Sequence, residues 1–468
     1  MLGSLALLAA AAAVASGSAH AAAGTDEVTL RMSDGVTIAC AYSAPRRATA
    51  GLSPGIMLFH GLAGRHENLA AIAAAFDGAG YATLACDARG HGASSGLADI
   101  DGPRTLADVR AEFDWFASRG GVDASRIGAW GISLGGGAIW RALVDGIPFA
   151  AVETLQTWTD LFQALAPSGL AKSGAVYAFL SSLPQGRMDP AVLALKRDAL
   201  ASANLRAIKT TFADPRSSRA ALGRIRTPAL IFQGRRDFAF DVDQGLELYG
   251  GLAGPKRLYI GDFGHQPSTF PGPDIGVVMD EGVAWFDHFL RGVPNGIETR
   301  PPVELAADPF RVGGTVSFSG VPRTRSVRFV APGRRTIDGS GRVVRSLGTL
   351  RTALETFGGA SVRVRLAPRR GWTHLVAVLA ARTPGGSTIV VSDGGVPTSR
   401  GRRTVSFRLL SDVTFIPSGS QLTLTLAGTS LAQDPANALY LTAVPERAQI
   451  TIGRATLRLP ALRRALSR

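Results

Sequence analysis

Residues 126–144 read RIGAWGISLGGGAIWRALV and combine an apolar run, a G-x-S-x-G pattern and a stretch of helix-forming residues. The run 126–130 is typical of a buried strand, and residues 136–144 are typical of a helix. A serine in the sharp turn between such a strand and helix, with small residues on both sides, is a nucleophile elbow. The flanking glycines allow a strained backbone that exposes the hydroxyl. We therefore predict that Ser133 is a nucleophile in an α/β domain.

The pattern around this serine extends over residues 25–300. Short apolar runs such as 55–59, 81–85 and 229–232 alternate with amphipathic stretches. Strands and helices in alternation predict a parallel sheet with helices on both faces. Residues 158–222 interrupt this alternation with helical periodicity and loop residues, so we expect them to form a helical insertion, or lid.

The pattern changes near residue 300. Residues 301–468 contain short runs of alternating apolar and polar residues, separated by Gly, Pro, Ser and Asp. Several such strands predict a second domain, a β-sandwich or jelly roll. No Gly/Ser-rich linker precedes it, so we expect a docked domain that helps to wall the site. The predicted strands are 326–330, 361–366, 375–379, 404–407, 421–426 and 439–441.

The 468 residues carry a net charge of +14, which is unevenly distributed. Residues 301–468 hold 24 arginines and 8 acidic residues, a net charge of +16, whereas the remainder carries −2. A basic surface can attract anionic polymers or lipid headgroups. However, the arginines are scattered and form no nucleic-acid motif, so we expect a solvated face and no nucleic-acid partner. Hydrophobic residues make up 46% of the chain, which excludes a disordered protein.

The N-terminus is typical of an export signal. Residues 5–15 are apolar and too few to cross a bilayer, and residues 19–21 (AHA) fit a small-x-small cleavage pattern. No Lys or Arg precedes the apolar run, which departs from the usual signal. We predict a signal peptide over residues 1–21, a secreted or cell-envelope protein, and no membrane span after its removal.

The chain has two cysteines, Cys40 and Cys86, and both lie in predicted strands. Two cysteines exclude a disulfide framework and a multi-cysteine zinc module. They could oxidise in an exported protein, but we expect two buried thiols.

A serine hydroxyl is a weak nucleophile at neutral pH and needs a general base. His265 follows a predicted strand, 257–260, and precedes the last helical pattern of the first domain, 283–290. Where a serine lies in such an elbow, the chain order is Ser, acid, His, so His265 best fits the base. The other histidines are His20 in the predicted signal, His60, His66 and His91 in loops before the serine, His288 in a helical pattern and His374 in the β domain.

The acid should follow the strand that precedes the one leading to His265. Asp237 lies in the turn after the run 229–232, which leaves room for a helix and a strand before His265. A carboxylate there would orient the imidazole and stabilise its charged form. The alternatives are Asp262, in the histidine loop itself, and Asp160, after an earlier strand.

Acyl transfer also needs hydrogen-bond donors for the developing oxyanion. The backbone N–H of Leu134 is one candidate, because it follows the nucleophile at a helix N-terminus. The second should come from the loop 60–64 (HGLAG), where we expect the N–H of Leu62, with Gly61 as the alternative. We expect His91, in the loop 87–92 (DARGHG), to be packed in a polar loop rather than to be catalytic.

Five motifs follow one another in the chain: HG at 60–61, DARGHG at 87–92, GISLG at 131–135, GRRD at 234–237 and GH at 264–265. As a set they resemble those of the α/β-hydrolases. The stretch 284–303, with AWFDHFLRG, NG and PPV, is similar to the junction of the Xaa-Pro dipeptidyl-peptidase-like (cocaine esterase-like) family. In that family a β jelly roll follows the hydrolase domain. Its members often carry Tyr after the nucleophile and in the oxyanion loop, where this chain has Leu134 and the loop 60–64.

The resemblance implies a serine hydrolase that acts on a small-molecule ester, or on an amide or peptide, through an acyl-enzyme. We expect no metal and no organic cofactor, because Ser133, His265 and Asp237 suffice for this chemistry. An esterase is favoured over a peptidase, since no carboxylate pair that could grip a peptide N-terminus can be identified. The alternatives are an Xaa-Pro exopeptidase and a non-catalytic protein that binds carbohydrate or a cell surface.

Overall fold

The computed structural model describes residues 24–45, 51–369, 371–399, 401 and 403–466, and the predicted signal peptide lies outside them. In this part of the chain, the first ten strands are β1 (Thr25–Arg31), β2 (Thr37–Ser43), β3 (Ser53–Phe59), β4 (Ala82–Cys86), β5 (Val122–Ile132), β6 (Ala151–Leu155), β7 (Ala229–Gly234), β8 (Lys256–Gly261), β9 (Val303–Leu305) and β10 (Val316–Phe318). They form one sheet in the order β1-β2-β4-β3-β5-β6-β7-β8-β9-β10. The neighbours from β4 to β9 are parallel, and β1/β2, β2/β4 and β9/β10 are antiparallel.

Helices cover both faces of this sheet. In the described part of the chain they are α1 (Ala70–Gly78), α2 (Pro103–Ala117), α3 (Leu134–Val144), α4 (Leu161–Leu165), α5 (Ser173–Ser181), α6 (Pro190–Ala201), α7 (Leu205–Ala207), α8 (Val242–Gly251) and α9 (Ile275–Arg291). Successive residues of β3 point to opposite faces. Met57 joins a core with Phe113 of α2 and Trp140 of α3, whereas Leu58 joins a core with Phe76 of α1 and Trp285 of α9. Burial on both faces explains why the central strands are continuous apolar runs.

The insertion between β6 and β7 contains α4–α7 and forms the lid. Its apolar side chains, including Leu161, Val176 and Phe212, pack in a cluster of their own that also contains Leu134. The lid therefore lies over the turn that carries Ser133. None of the helices in the described residues is long and apolar enough to span a bilayer.

Two further sheets follow and pack face to face as a β-sandwich around an apolar core. The described strands are β11 (Thr324–Ala331), β12 (Arg335–Asp338), β13 (Arg342–Thr349), β14 (Leu354–Glu355), β15 (Gly358–Arg369), β16 (His374–Arg382), β17 (Thr388–Pro397), β18 (Thr404–Asp412), β19 (Phe415–Ile416), β20 (Gln421–Ala427) and β21 (Gln449–Leu462). One sheet has the order β11-β21-β15-β18, with β12 also on β21, and the other has the order β13-β20-β16-β17; β14 and β19 pair separately as a small two-stranded sheet. Burial alternates along β15, as its sequence pattern predicts, whereas β16 is buried on both faces.

Two sequence-based boundaries differ from the structure. The first sheet does not end at residue 300, because β9 pairs in parallel with β8 and β10 pairs with β9, so the sheet extends to Phe318. The predicted strand 439–441 is wrong. The N–H groups of Leu441 and Thr442 donate to the Ser173 hydroxyl of α5 at 2.8 and 2.9 Å, and the Tyr440 N–H donates to Ser430 Oγ at 2.8 Å. Side chains take the backbone hydrogen bonds that a neighbouring strand would otherwise make.

The expectation of two buried thiols is also wrong, because Cys40 and Cys86 form a disulfide. Antiparallel pairing of β2 with β4 places these residues directly opposite each other, with their Cα atoms 4.0 Å apart. Residues paired in this way bring their side chains to the same face of the sheet. The disulfide therefore forms because the two strands are neighbours in the sheet. The sequence pattern alone does not show that these strands are neighbours.

The β-sandwich is docked on the loop that follows β7. The buried Arg235 guanidinium donates to the Val413 carbonyl oxygen at 3.1 Å and forms a buried ion pair with Glu355. The Val413 N–H donates back to the Arg235 carbonyl oxygen at 2.8 Å, and the Ser411 N–H donates to the Asp241 carboxylate at 2.9 Å. These contacts lie on both sides of Asp237, so the sandwich braces the segment that carries the predicted acid.

Candidate active site

The turn between β5 and α3 has the geometry of a nucleophile elbow. Ser133 has φ 54° and ψ −115°, a left-handed conformation that costs a non-glycine residue of order 1–3 kcal/mol. Its neighbours must be small: a Cβ on Gly131 would lie 2.7 Å from the Gly135 carbonyl oxygen, and a Cβ on Gly135 would lie 2.2 Å from that of Phe59. These close approaches explain the G-x-S-x-G pattern, which leaves the serine hydroxyl at the carboxyl edge of the sheet.

The structure brings the three predicted triad residues together. His265 Nε2 lies 3.0 Å from Ser133 Oγ, and His265 Nδ1 lies 2.7 Å from Asp237 Oδ2. The three residues follow β5, β7 and β8, whose carboxyl ends meet at one edge of the parallel sheet. The hydrogen-bonded chain from carboxylate to imidazole to hydroxyl is the arrangement that a serine nucleophile and its base require.

Asp237 is fully buried, and all its hydrogen bonds orient it toward His265 or toward its own loop. Oδ2 accepts the backbone N–H of His265 at 3.0 Å in addition to the imidazole. Oδ1 accepts the N–H groups of Ala239 and Phe240, each at 2.9 Å. Four donors therefore hold one carboxylate, so it cannot rotate away from the ring.

Two aromatic rings fix the imidazole from its sides. Phe240, in the Asp237 loop, and Phe179, on α5 of the lid, meet the His265 ring edge to face, with ring centroids 5.2 and 5.4 Å away. Neither phenylalanine belongs to a sequence motif, so the sequence alone does not indicate its position beside His265. The lid thus contacts the His265 ring directly.

The alternative acids do not contact the histidine. Asp262 accepts the Phe310 N–H at 3.0 Å, on the segment that leads to β10. Asp160 caps α4 by accepting the Gln163 N–H at 3.0 Å, and it also pairs with an arginine of the lid. Both carboxylates are used to hold loops.

The histidines before the serine have structural partners. His60 Nδ1 lies 2.7 Å from the Gly61 carbonyl oxygen, and Nε2 accepts the Ala88 N–H at 2.9 Å, which specifies a neutral ring. Burial lowers the pKa of His60, and it lowers the pKa of its neighbour His91 to about 4. His91 lies in a buried polar loop, with its ring 5.2 Å from that of His60. Both rings pack the loops below the candidate oxyanion site.

His66, Glu67 and Asp87 bring their side-chain ligand atoms within 4.8 Å of one another, as a metal site would. However, Asp87 Oδ1 already accepts both the backbone N–H of His66, at 2.6 Å, and its Nδ1–H, at 2.8 Å, and Oδ2 accepts the Ala93 N–H at 2.7 Å. The hydrogen bond to Asp87 raises the pKa of His66. The other ring nitrogen, Nε2, lies 3.3 Å from Glu27 Oε2, so carboxylates already face both ring nitrogens and the cluster fits a structural hydrogen-bonded group.

Both candidate oxyanion donors lie beside the nucleophile. Leu62 and Leu134 line the same cavity as Ser133, and Leu134 is the first residue of α3. The alternative, Gly61, approaches closely enough that a Cβ on it would lie 3.6 Å from Ser133 Cβ. The roles of these N–H groups as oxyanion donors stay predictions.

The cavity at Ser133 has a volume of about 80 Å³ and is almost wholly apolar. Among the described residues that line the cavity, Lys172 has the one charged side chain. Burial lowers the pKa of this lysine to about 8. Its ammonium group donates to the carbonyl oxygens of Phe238 and Ala239 at 2.8 and 2.5 Å, so it holds the Asp237 loop rather than pointing at the serine. The aliphatic and aromatic lining includes Ile100, Leu134, Trp158, Leu161, Val176, Phe179, Leu180, Leu195, Phe212 and Phe240.

One wall of the cavity is strained. Ile100 and Asp101 have φ values of 51° and 54°, and left-handed φ is unusual for a β-branched residue such as isoleucine. The buried guanidinium of Arg216, from the lid, holds the turn by donating to the Ile100 carbonyl oxygen at 2.7 Å and to the Asp99 carbonyl oxygen at 2.8 Å. The lid therefore shapes the cavity wall through the backbone as well as through its own side chains.

The ten-stranded sheet with its elbow, lid and C-terminal sandwich defines an α/β-hydrolase with a β-sandwich domain. The model of the X-Pro dipeptidyl-peptidase (S15) family matches residues 34–267. The chain belongs to this family of hydrolases.

Solved structures share the whole architecture. A CocE/NonD family hydrolase from Staphylococcus aureus superimposes with a TM-score of 0.72 at 13% identity, over 93% of each chain. An α-amino acid ester hydrolase superimposes with a TM-score of 0.68 at 15% identity, over 96% of this chain and 99% of that one. At such low sequence identities, these similarities establish a shared fold.

Among curated proteins, the quorum-quenching protein AidA of Acinetobacter baumannii (strain MDR-ZJ06) is 33% identical over 139 residues. The match spans 28% of this chain and 44% of AidA, less than half the length of that relative.

Proposed function

We propose that this protein is an exported serine hydrolase that cleaves esters, and more slowly amides, of short apolar acyl groups through an acyl-enzyme. The observation that carries the proposal is the chain of contacts from Asp237 through His265 to Ser133, at 2.7 and 3.0 Å, which opens onto an apolar cavity. Membership of a hydrolase family supports it further.

In this proposal Ser133 Oγ attacks the substrate carbonyl carbon while His265 Nε2 takes the hydroxyl proton. Asp237 accepts the Nδ1–H and stabilises the imidazolium that forms. The N–H groups of Leu134 and Leu62 stabilise the oxyanion. The imidazolium then protonates the leaving oxygen, the alcohol departs, and water hydrolyses the acyl-enzyme by the same route in reverse.

The lining of the cavity favours a substrate whose acyl group is apolar and carries no ammonium group. In the described lining there is no carboxylate, whereas a buried ammonium needs an anionic partner to offset its desolvation. The Lys172 ammonium, already in the lining, would repel a second cation. A volume of about 80 Å³ corresponds to about six water-sized units, at about 10–15 Å³ for each, which suits a short acyl chain such as butyryl.

Two assays test the proposal. A fluorophosphonate probe should label the wild type and not the Ser133→Ala variant, and kcat on p-nitrophenyl butyrate should fall by several orders of magnitude in that variant. Circular dichroism and a melting curve check that the variant is folded. Near wild-type activity of folded Ser133→Ala would contradict the mechanism.

Substrate preference is measured with p-nitrophenyl esters from acetate to decanoate beside an Xaa-Pro anilide. We expect kcat/KM to peak near butyrate and to be far lower for the anilide. Faster cleavage of the anilide would favour an Xaa-Pro exopeptidase. Absence of labelling and of turnover on every substrate would favour a non-catalytic binding protein.

Export rests on the predicted signal over residues 1–21, and the Cys40–Cys86 disulfide supports it, because disulfides persist mainly outside the reducing cytosol. A fusion of residues 1–24 to a reporter that is active only after export tests this part. An inactive fusion would assign the protein to the cell interior.

A further inference from the structure

A groove of about 790 Å³ crosses the outer face of the sheet β11-β21-β15-β18, and the lid turn at Ser168 forms part of its wall. We call it the arginine groove. Its basic side chains are Arg328, Arg363, Arg365, Arg408, Arg454 and Arg458. These arginines are exposed and alternate along their strands with residues buried in the sandwich core.

The strand register sets two arginines, Arg328 and Arg458, directly opposite each other and brings a third, Arg408, into the same row. Arg328 faces Arg458, Arg458 faces Ser361, and Ser361 faces Arg408, which makes one row across four strands. Neighbouring strands lie about 4.8 Å apart, and like charges in directly opposed positions are destabilising. The opposed pair of Arg328 and Arg458 therefore costs stability rather than adding to it.

The groove supplies almost no counter-charge. Among the described residues, Arg408 alone of the six has a carboxylate partner, Asp243, at 3.0 Å. Hydroxyl groups occupy positions between the arginines, including Ser406 and Thr456, which both pair with the Arg363 position. A concave surface with many cationic and hydroxyl donors, and with few internal acceptors, suits an anion with several charges.

We propose that the arginine groove binds a linear phosphate polymer through its phosphate groups. Successive outward arginines such as Arg363 and Arg365 are about 7 Å apart along a strand, and strands are about 4.8 Å apart, so neighbouring phosphates of one chain reach neighbouring guanidinium groups. Each guanidinium offers a planar fork of donors to phosphate oxygens. The sequence suggests a merely solvated face, because the register and the groove are tertiary features.

The lining distinguishes this ligand from other anions. The aromatic residue among the described lining, Phe407, is 6% exposed, so no ring is free to stack on nucleobases. A planar carboxylate uses both oxygens on one guanidinium, whereas a tetrahedral phosphate also offers oxygens to adjacent hydroxyls such as Ser361 and Ser406. The concave shape favours a single chain over a flat lipid surface.

The test is biolayer interferometry of the full chain on immobilised long-chain inorganic polyphosphate at several salt concentrations. The groove variant is Arg363→Ser, Arg365→Ser and Arg458→Ser together. We expect the affinity of this variant for polyphosphate to fall at least about tenfold near 150 mM salt. The slope of log affinity against log salt concentration should become shallower by about 2–3, because each lost phosphate contact removes about 0.7–0.9 from the slope. Esterase activity and the melting temperature should stay close to those of the wild type.

The matched control removes the same charge elsewhere: Arg351→Ser, Arg382→Ser and Arg447→Ser, three exposed arginines outside the groove. We expect its affinity to stay within about twofold of the wild type. Equal losses in both triple variants would show that binding follows net charge only and would overturn the proposal. If the groove variant fails to fold, single Arg365→Ser and Arg382→Ser variants are compared instead, with a slope change of about one expected for the first only.

Two competing polymers decide the ligand class. An oligothymidylate of equal phosphate concentration should bind more weakly than polyphosphate, and so should polyglutamate. Tighter binding of the oligonucleotide would assign the groove to nucleic acid, and equal binding of polyglutamate would assign it to any polyanion. Either result would overturn the phosphate-polymer proposal.

Discussion

Replacing Asp237 with asparagine tests the geometry of the candidate site most sharply. Each carboxylate oxygen of Asp237 accepts two N–H donors, Oδ1 from Ala239 and Phe240 and Oδ2 from the backbone and imidazole of His265. Asparagine has one acceptor oxygen and one donor group, so one of these pairs must lose its acceptor.

Both orientations of the asparagine are harmful. If its oxygen stays on Ala239 and Phe240, its NH₂ group faces His265 Nδ1, which must then be unprotonated, and the ring proton moves to Nε2. Nε2 can no longer accept the proton of Ser133, and kcat should fall about 10⁴-fold, or about 5 kcal/mol in activation free energy. In the opposite orientation two buried N–H groups lose their acceptor, at a cost in stability of about 1–3 kcal/mol for each.

The assay is kcat for p-nitrophenyl butyrate, together with the labelling rate of Ser133 by the fluorophosphonate probe. Asp262→Asn is the matched control, because Asp262 lies three residues from His265 in the chain and accepts the Phe310 N–H instead. We expect the control to keep kcat within about threefold of the wild type. A folded Asp237→Asn protein within about tenfold of wild-type kcat, or a damaging Asp262→Asn change, would refute this reasoning.

Three further outcomes are expected. Burial raises the pKa of Asp412 to about 8, so between about pH 4 and 8 this carboxyl is protonated in the folded protein and ionised in the unfolded chain. The free energy of unfolding therefore falls by up to about 1.4 kcal/mol per pH unit in this range. Asp412→Asn should flatten the dependence of Tm on pH between about 5 and 8, and equal slopes of Tm against pH in the variant and the wild type would contradict this. Replacing Cys40 and Cys86 with alanine should lower the free energy of unfolding by about 4 kcal/mol, because the bridge closes a loop of 46 residues, and unchanged denaturation midpoints would contradict this. Ending the chain at residue 300 removes β9 and the partners of Arg235, so the fragment should be insoluble or much less stable, and a soluble, fully active fragment would refute the docked arrangement.

The docked sandwich holds the loop that contains Asp237 at several points. Arg235 and Arg236 precede Asp237, and the Arg236 guanidinium donates to the Val390 carbonyl oxygen of β17 at 2.9 Å. Asp241, four residues after Asp237, accepts the Ser411 N–H of β18. The second domain therefore holds both ends of the segment that orients His265, which explains structurally why no flexible linker separates the domains.

Local sequence signals are sufficient to predict the three candidate triad residues and their order along the chain. Short local signals locate Ser133, Asp237 and His265: a glycine-flanked serine after a strand, and a polar turn after each of two later strands. Parallel strands place their carboxyl ends at one edge, so residues that follow β5, β7 and β8 meet without any further information. The alternation of helices and strands, and the change to alternating runs after residue 300, likewise depend on local periodicity.

Contacts between segments that are far apart in the chain cannot be predicted from these local signals. The Cys40–Cys86 bridge depends on antiparallel pairing of β2 with β4, and the extension of the sheet to Phe318 depends on the free edge of β8. The cavity depends on Phe179 and Lys172 of the lid, whose positions follow no sequence period. Contacts between segments far apart in the chain are set by how complete elements pack, and a local pattern of residues does not encode that packing.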